Sequence, residues 1–308
     1  MALKGARSGF RLLHALRSSP PKLGKSPLLC EQRGLTPIKR EKAMVQGSNS
    51  LLVALCVALP LAAPATAQNA DEPRRTRVGL GVQLVPSFPG ADDFSLRPLV
   101  AVSRAKGAEE FEFEAPDESF GFTVIESGDL TFGPAINLEG SRTADDVGAS
   151  LPKVGFTVEV GAFAQYAVSE RVRLRLELRK GIGGHRAMIG DVGADFVSRD
   201  GDKWLFSVGP RLSFASRKYQ QAYFGVSPAA SSSSGLPAFE ADGGLMSVGL
   251  ATGYLHQFTP RWGITSFGKY DRLAGDAGRS PIVGRLGSRN QLHGGIGLTY
   301  TFGHRVAD

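Results

Sequence analysis

Gln291-Leu292-His293-Gly294-Gly295-Ile296-Gly297-Leu298-Thr299-Tyr300-Thr301-Phe302 alternates without a break. A strand sends successive side chains to opposite faces, so the even positions make one greasy face with an aromatic end. The odd positions make a face that is polar and small. Upstream, Val172, Leu174, Leu176 and Leu178 are set against Arg171, Arg173, Arg175, Glu177 and Arg179. Trp204, Phe206, Val208, Leu212 and Phe214 likewise oppose Ser207, Gly209, Arg211 and Ser213. No stretch after Ala67 carries a convincing helical period; the period is two.

This pattern predicts an all-β chain of about twelve antiparallel strands, near 77–86, 95–104, 109–125, 129–139, 153–167, 171–181, 187–199, 203–215, 218–226, 245–258, 261–272 and 290–302. Many match a tilted membrane strand of about 9–11 residues, and aromatics gather at strand ends as interfacial girdles do. The expected fold is therefore a transmembrane β-barrel of the outer-membrane type. In a soluble sandwich or lipocalin-like barrel the greasy face would point inward and the charged face outward. Two places fit the barrel poorly. Phe111 and Phe113 have opposite parity to Phe120, Phe122 and Val124, with Pro116 between them. Gly140–Pro152 is long where a short periplasmic turn is expected, whereas the long stretches Ser227–Gly244 and Leu273–Arg289 follow the rule.

The chain's 308 residues divide unevenly in charge. Ten of the 36 Lys and Arg, but only Glu31 and Glu41 of the 29 acids, lie in residues 1–67, so the basic excess belongs to that leader. The remainder is near neutral, and a nucleic-acid partner has no support. Both cysteines, Cys30 and Cys56, also lie in the leader, so disulfides and Cys-ligated metals are excluded downstream. Leu51 to Ala63 is an apolar run followed by Ala65-Thr66-Ala67, the h-region and small-residue site of a secretory signal. The expected organisation is a basic leader or over-long start over 1–43, a signal over 44–67 cleaved between Ala67 and Gln68, and a barrel over 68–308.

No constellation carries enzymatic chemistry, and no cofactor or metal is expected. His185, His256, His293 and His304 share no metal-ligand spacing. His293 is expected to line the lumen, and His256 to face outward beside Phe258 at the interface. Gly183-Gly184 and Gly294-Gly295 lack the following helix that a phosphate loop needs. Arg171, Arg173, Arg175 and Arg179 form the sharpest charged face. They line either a cationic patch for an anionic solute or a lumen in which they pair with Glu159, Asp191 and Asp195. If Arg173 and Arg175 face the lumen, Arg→Ala at either is expected to leave membrane assembly largely intact. Asp271, Arg272, Asp276, Arg279 and Arg289 read either as an ion-pair cluster over the barrel mouth or as a solvated loop.

Tyr223-Phe224-Gly225-Val226-Ser227, Asp271-Arg272-Leu273-Ala274-Gly275-Asp276, Ser280-Pro281-Ile282-Val283 and the closing Gly297-Leu298-Thr299-Tyr300-Thr301-Phe302 occur in that order. Together with Asp129-Leu130-Thr131-Phe132-Gly133-Pro134 they resemble the MipA/OmpV family over roughly 77–302. The resemblance implies a bacterial outer-membrane barrel, in contact with lipid, that docks a murein hydrolase (a lytic transglycosylase) near a murein synthase. The expected function is thus a non-enzymatic scaffold in envelope maintenance, and the alternative is a small-solute channel.

Overall fold

The computed structural model describes residues 74–303. The leader, the signal segment with Ala67 and Gln68, and His304 lie outside the described residues. Strands β1 (Arg74–Pro86) and β2 (Phe94–Lys106) form the first hairpin. Two short pieces, β3 (Phe120–Gly121) and β4 (Ile125–Ser127), both pair with β5 (Leu130–Glu139). Then follow β6 (Thr157–Ser169), β7 (Val172–Gly183), β8 (Met188–Asp200), β9 (Trp204–Ala215), β10 (Gly244–Gln257), β11 (Trp262–Leu273) and β12 (Asn290–Phe302). The helices are short: α1 (Ala144–Val147), α2 (Arg217–Phe224), α3 (Pro228–Ser234), α4 (Gly275–Arg279) and α5 (Pro281–Leu286).

The strand pairings among the described residues are all antiparallel, in the order β2-β1-β12-β11-β10-β9-β8-β7-β6-β5-β3, with β4 beside β5. The first and last long strands close on one another, with Leu80 opposite Leu298 and Val82 opposite Ile296. Gly81 faces Gly297 in that ladder; a Cβ on Gly81 would sit 2.1 Å from the Ile296 carbonyl oxygen, so only glycine fits.

The side-chain faces are inverted relative to a soluble protein. Leu80, Leu176 and Leu298 are 60%, 53% and 58% exposed, whereas Arg173 is 6% and Glu159 1% exposed. Aromatics border the greasy band: Trp262 packs edge-on against Tyr300 at 4.8 Å, and Tyr300 against Phe302 at 4.7 Å. A soluble sandwich would hide these leucines and hydrate the arginines. The arrangement is that of an outer-membrane β-barrel, lipid outside and polar groups within.

One expected strand is absent and another is only partly formed, and these two departures account for the misfits. Residues 218–226 were expected as a strand but hold helix α2, whose buried Tyr219 and Tyr223 are one helical turn apart. Removing that crossing puts the β5–β6 connection on the same end as the β9–β10 and β11–β12 connections, so the long connections gather at one rim. By the rule for bacterial barrels this is the extracellular rim. The opposite, periplasmic rim carries the short turns at Asp129, Glu170–Arg171, Gly201–Lys203 and Phe258–Arg261. The other misfit, 109–125, is only partly strand. Residues 107–119 leave the end of β2 at the periplasmic rim and return inside the sheet's concave face to β3 at the other rim.

Candidate functional site: a filled interior beneath an extracellular cap

The inward faces of β6 to β9 carry a continuous ionic ladder. Arg179 donates from Nε to Glu159 at 3.0 Å and from Nη2 to Asp191 at 2.7 Å, and also pairs with Glu177. Arg175 donates to Glu177 at 2.9 Å. Arg173 donates to Asp195 at 3.2 and 3.0 Å and to Gln165 at 2.7 Å. The alternation of β7 places these three arginines on one face at every second residue, and the antiparallel register sets Arg173 directly opposite Asp195. Arg171 departs from the expected set. It precedes β7, beyond a register shift between Ala167 and Ser169, and is exposed at the periplasmic turn.

Residues 107–119 complete the ladder from within. Phe111 lies under the Arg77 guanidinium, 4.0 Å from its carbon to the ring centre, and Phe113 under that of Arg173 at 4.2 Å. Asp202 accepts from the Phe111 amide at 3.1 Å, while Arg199 donates to the Phe111 carbonyl at 3.0 Å and Arg173 to that of Phe113 at 3.0 Å. Asp117 receives both arms of Arg211, at 2.9 and 3.0 Å, and Lys269 stands 3.4 Å away. Glu118 pairs with Arg173 and lies 3.7 Å from Arg175. A buried guanidinium is stable only when its donors are met, and here strand and inner segment divide them. Removing Arg173 would take one of two cationic partners from each of Asp195 and Glu118, which keep Arg211 and Arg175 respectively.

His293 faces the same interior, its Nε2 3.8 Å from Asp271, which also lies 3.3 Å from Lys269. His256 faces outward as expected, stacked near Tyr254 and edge-on to Phe258 at 5.3 Å. His185 makes a contact that spacing did not disclose: its Nε2 lies 3.1 Å from Glu159. Its Nδ1 accepts from the Ala187 amide at 3.1 Å, so the proton sits on Nε2 and is donated to the carboxylate. Both ring nitrogens of His185 are thus occupied and the ring is buried. Among the described residues, no group of three or more His, Cys, Asp or Glu side chains could hold a metal. A cavity of about 70 Å³ lies toward the periplasmic rim, lined by Arg77, Phe111, Glu114, Arg199 and Tyr254, room for little more than a few waters.

Above the ladder, the extracellular connections fold into a cap with its own apolar core. Tyr219, Tyr223 and Phe224 of α2 pack with Leu273, Ala277 and Val283, and Val226 and Ile282 with Phe88, Val147 and Leu236. Arg142 is buried there, donating to the Tyr223 carbonyl at 2.7 Å and to the Pro152 carbonyl at 3.0 Å. Ser280 donates to the Phe224 carbonyl at 2.7 Å. Gln291 accepts from the Gly90 amide at 3.0 Å and donates to the Ala91 carbonyl at 2.9 Å. The motif residues Tyr223 to Val226 and Ser280 to Val283 are thus the packing of this cap.

The loop cluster divides. Asp271 belongs to the interior, Arg272 donates to Asn290 at 3.1 Å, and Arg289 is exposed. Asp276 accepts from the Asp242 amide at 2.7 Å and pairs with Arg279, contacts that hold its carboxyl below the usual range. Phe224 has no exposed surface, and Phe224→Ala is expected to cost the cap about 3–5 kcal/mol. The variant should admit added protease to residues 217–243 on whole cells while the barrel still assembles; unchanged protection would contradict the cap packing.

The family model for MltA-interacting protein MipA matches residues 78–302. No curated protein matches the chain. Among solved structures, the chain is similar to an outer membrane channel from Pseudomonas putida F1, with 11% identity over 76% of this chain and 99% of that one and a TM-score of 0.38. It is also similar to the CymD monoaromatic hydrocarbon channel, with 9% identity over 74% and 89% and a TM-score of 0.35. OmpT, an outer membrane protein of Vibrio cholerae, shares 9% identity over 74% and 96%, with a TM-score of 0.31.

Proposed function

This chain belongs to the MipA family of MltA-interacting proteins, and from that premise we propose a non-enzymatic scaffold that docks murein-remodelling enzymes at the outer membrane. The partner of this reading is a lytic transglycosylase, held near a murein synthase on the periplasmic side. The observation that carries it is the occupied interior. Residues 107–119 meet Arg173, Arg199, Arg211 and Lys269 inside the sheet, and the cap packs over the outer end. An interior whose charges are paired to its own chain favours a platform over a standing conduit. The occupied nitrogens of His185 support the non-enzymatic reading in the same way.

Affinity capture from detergent-solubilised envelopes is expected to enrich a lytic transglycosylase with the tagged protein. Equal recovery in the untagged control would overturn the scaffold. The alternative, a small-solute channel, draws on the small cavity toward the periplasmic rim, lined in part by Arg77, Glu114 and Arg199. It predicts steady single-channel conductance of the refolded protein in planar bilayers, where the scaffold reading expects none. Export begins, on this account, with cleavage between Ala67 and Gln68, and N-terminal sequencing of envelope protein that starts upstream of Leu51 would refute that site.

A further inference from the structure

We propose that residues 109–116 are a wall strand in waiting, which leaves the interior and inserts between β2 and β3 to complete the barrel. Four observations lead there. First, the sheet has two ends. Among the described residues no strand pairs with β2 on the side away from β1, or with β3 on the side away from β5. Open edges within a bilayer leave backbone groups without partners, a state that membrane barrels avoid by closure.

Second, the directions call for one more strand. Because β3 and β4 share one place beside β5, the sheet has eleven places, an odd number. Successive antiparallel pairings then make β2 and β3 run the same way, toward the periplasmic rim. A single strand running outward would be antiparallel to both, and residues 107–119 run outward, from the end of β2 to the start of β3.

Third, the hairpin has already begun. The Glu109 amide donates to the Lys106 carbonyl at 2.9 Å, and Gly107 between them has φ of 48°. That is a two-residue turn with its first residue left-handed, as strand hairpins use. Continuing from this rung pairs Phe111 with Arg104, Phe113 with Val102 and Ala115 with Val100.

Fourth, that register puts the right side chains on each face. Val100 and Arg104 of β2 are exposed on its outer face, so Phe111 and Phe113 would join the lipid-facing side. Glu110, Glu112 and Glu114 would then point inward, toward the arginines. Directly opposite residues share a face in an antiparallel pair, so this follows from the Lys106–Glu109 turn alone. The interior position is held instead by ion pairs from Asp117 and Glu118 and by backbone contacts to Phe111 and Phe113. The segment thus has two sets of partners, and moving it into the wall would expose Arg173, Arg199 and Arg211 to the periplasmic mouth beneath the cap.

Cysteine cross-linking in native outer membranes tests this, since the chain beyond the leader contains no cysteine. Pro116→Cys with Gly253→Cys reports the interior position, where a Cβ on Gly253 lies 3.2 Å from the Pro116 ring. Val102→Cys with Phe113→Cys reports the wall position. Val78→Cys with Val102→Cys, neighbours in the β1–β2 ladder, checks assembly and reactivity. All three pairs are expected to form disulfides under mild oxidant. Adding Asp117→Asn and Glu118→Gln should raise the wall cross-link several-fold and lower the interior one. Should Phe113→Cys fail to assemble, Val100→Cys with Ala115→Cys reads the same register. A wall pair that stays reduced while the other two pairs close would overturn the proposal.

Discussion

Leu176→Arg is expected to remove most of the assembled protein from the outer membrane, and Leu174→Arg to do nearly as much. Leu176 lies toward the middle of β7 and Leu174 nearer its periplasmic end, both on its exposed face between neighbours whose outward residues are also apolar. An arginine on the lipid face near the bilayer midplane costs about 2–4 kcal/mol, a large share of a typical protein's net stability. Lys180→Ala, on the same face at the extracellular end of β7, changes a residue at the rim and should assemble normally. The measurement is the membrane-assembled fraction of each variant at equal expression. Equal assembly of Leu176→Arg and Lys180→Ala would mean that this face does not meet lipid.

The second large effect is expected inside. Arg211 donates to Asp117 through two arms and to Asp195 at 2.7 Å, with all three side chains almost completely buried. Arg211→Ala leaves two carboxylates facing one another with less compensation, and breaking such a pair costs about 3–5 kcal/mol. The barrel should then unfold in detergent at a clearly lower temperature than the wild type. Asp117→Asn added to Arg211→Ala should recover part of the loss, because one of the stranded charges is gone and Asp195 keeps Arg173. Exposed Lys203→Ala, in the β8–β9 turn, serves as the neutral reference. If Arg211→Ala melts with that reference, the interior ladder does not hold the barrel together.

The strands were legible because a lipid-facing wall imposes period two with little tolerance. The expected 290–302 coincides with β12, and 171–181 with β7 to within a residue or two. The same alternation sets Arg173, Arg175 and Arg179 on one face, where Arg173 meets Asp195 and Arg179 meets Glu159 and Asp191. It began one residue too early at Arg171, which lies in the turn before β7.

The two larger misreadings have distinct physical causes. Glu110-Phe111-Glu112-Phe113-Glu114 alternates as well as any wall strand, so period alone could not separate wall from interior. Charge could have. Residues 109–118 hold six acids (Glu109, Glu110, Glu112, Glu114, Asp117 and Glu118), against strands whose inward faces are rich in arginine. In 218–226 the aromatic Tyr219 and Tyr223 looked like strand formers, yet their spacing of four is one helical turn. The cap was invisible for another reason: its core is assembled from five separate connections, and no single stretch shows which apolar residues will meet.

The central claim is that the greasy face points outward into the outer membrane while charge is packed within. Closed or nearly closed barrels pair their backbone groups internally and typically resist unfolding in detergent until heated. The most direct measurement is to fractionate cells expressing the full chain and run the outer-membrane fraction on SDS gels with and without boiling. The account predicts that the protein is found in that fraction and that the unboiled sample migrates at a different position from the boiled one. Release of the protein by osmotic shock without detergent, with a single band unchanged by heat, would contradict it.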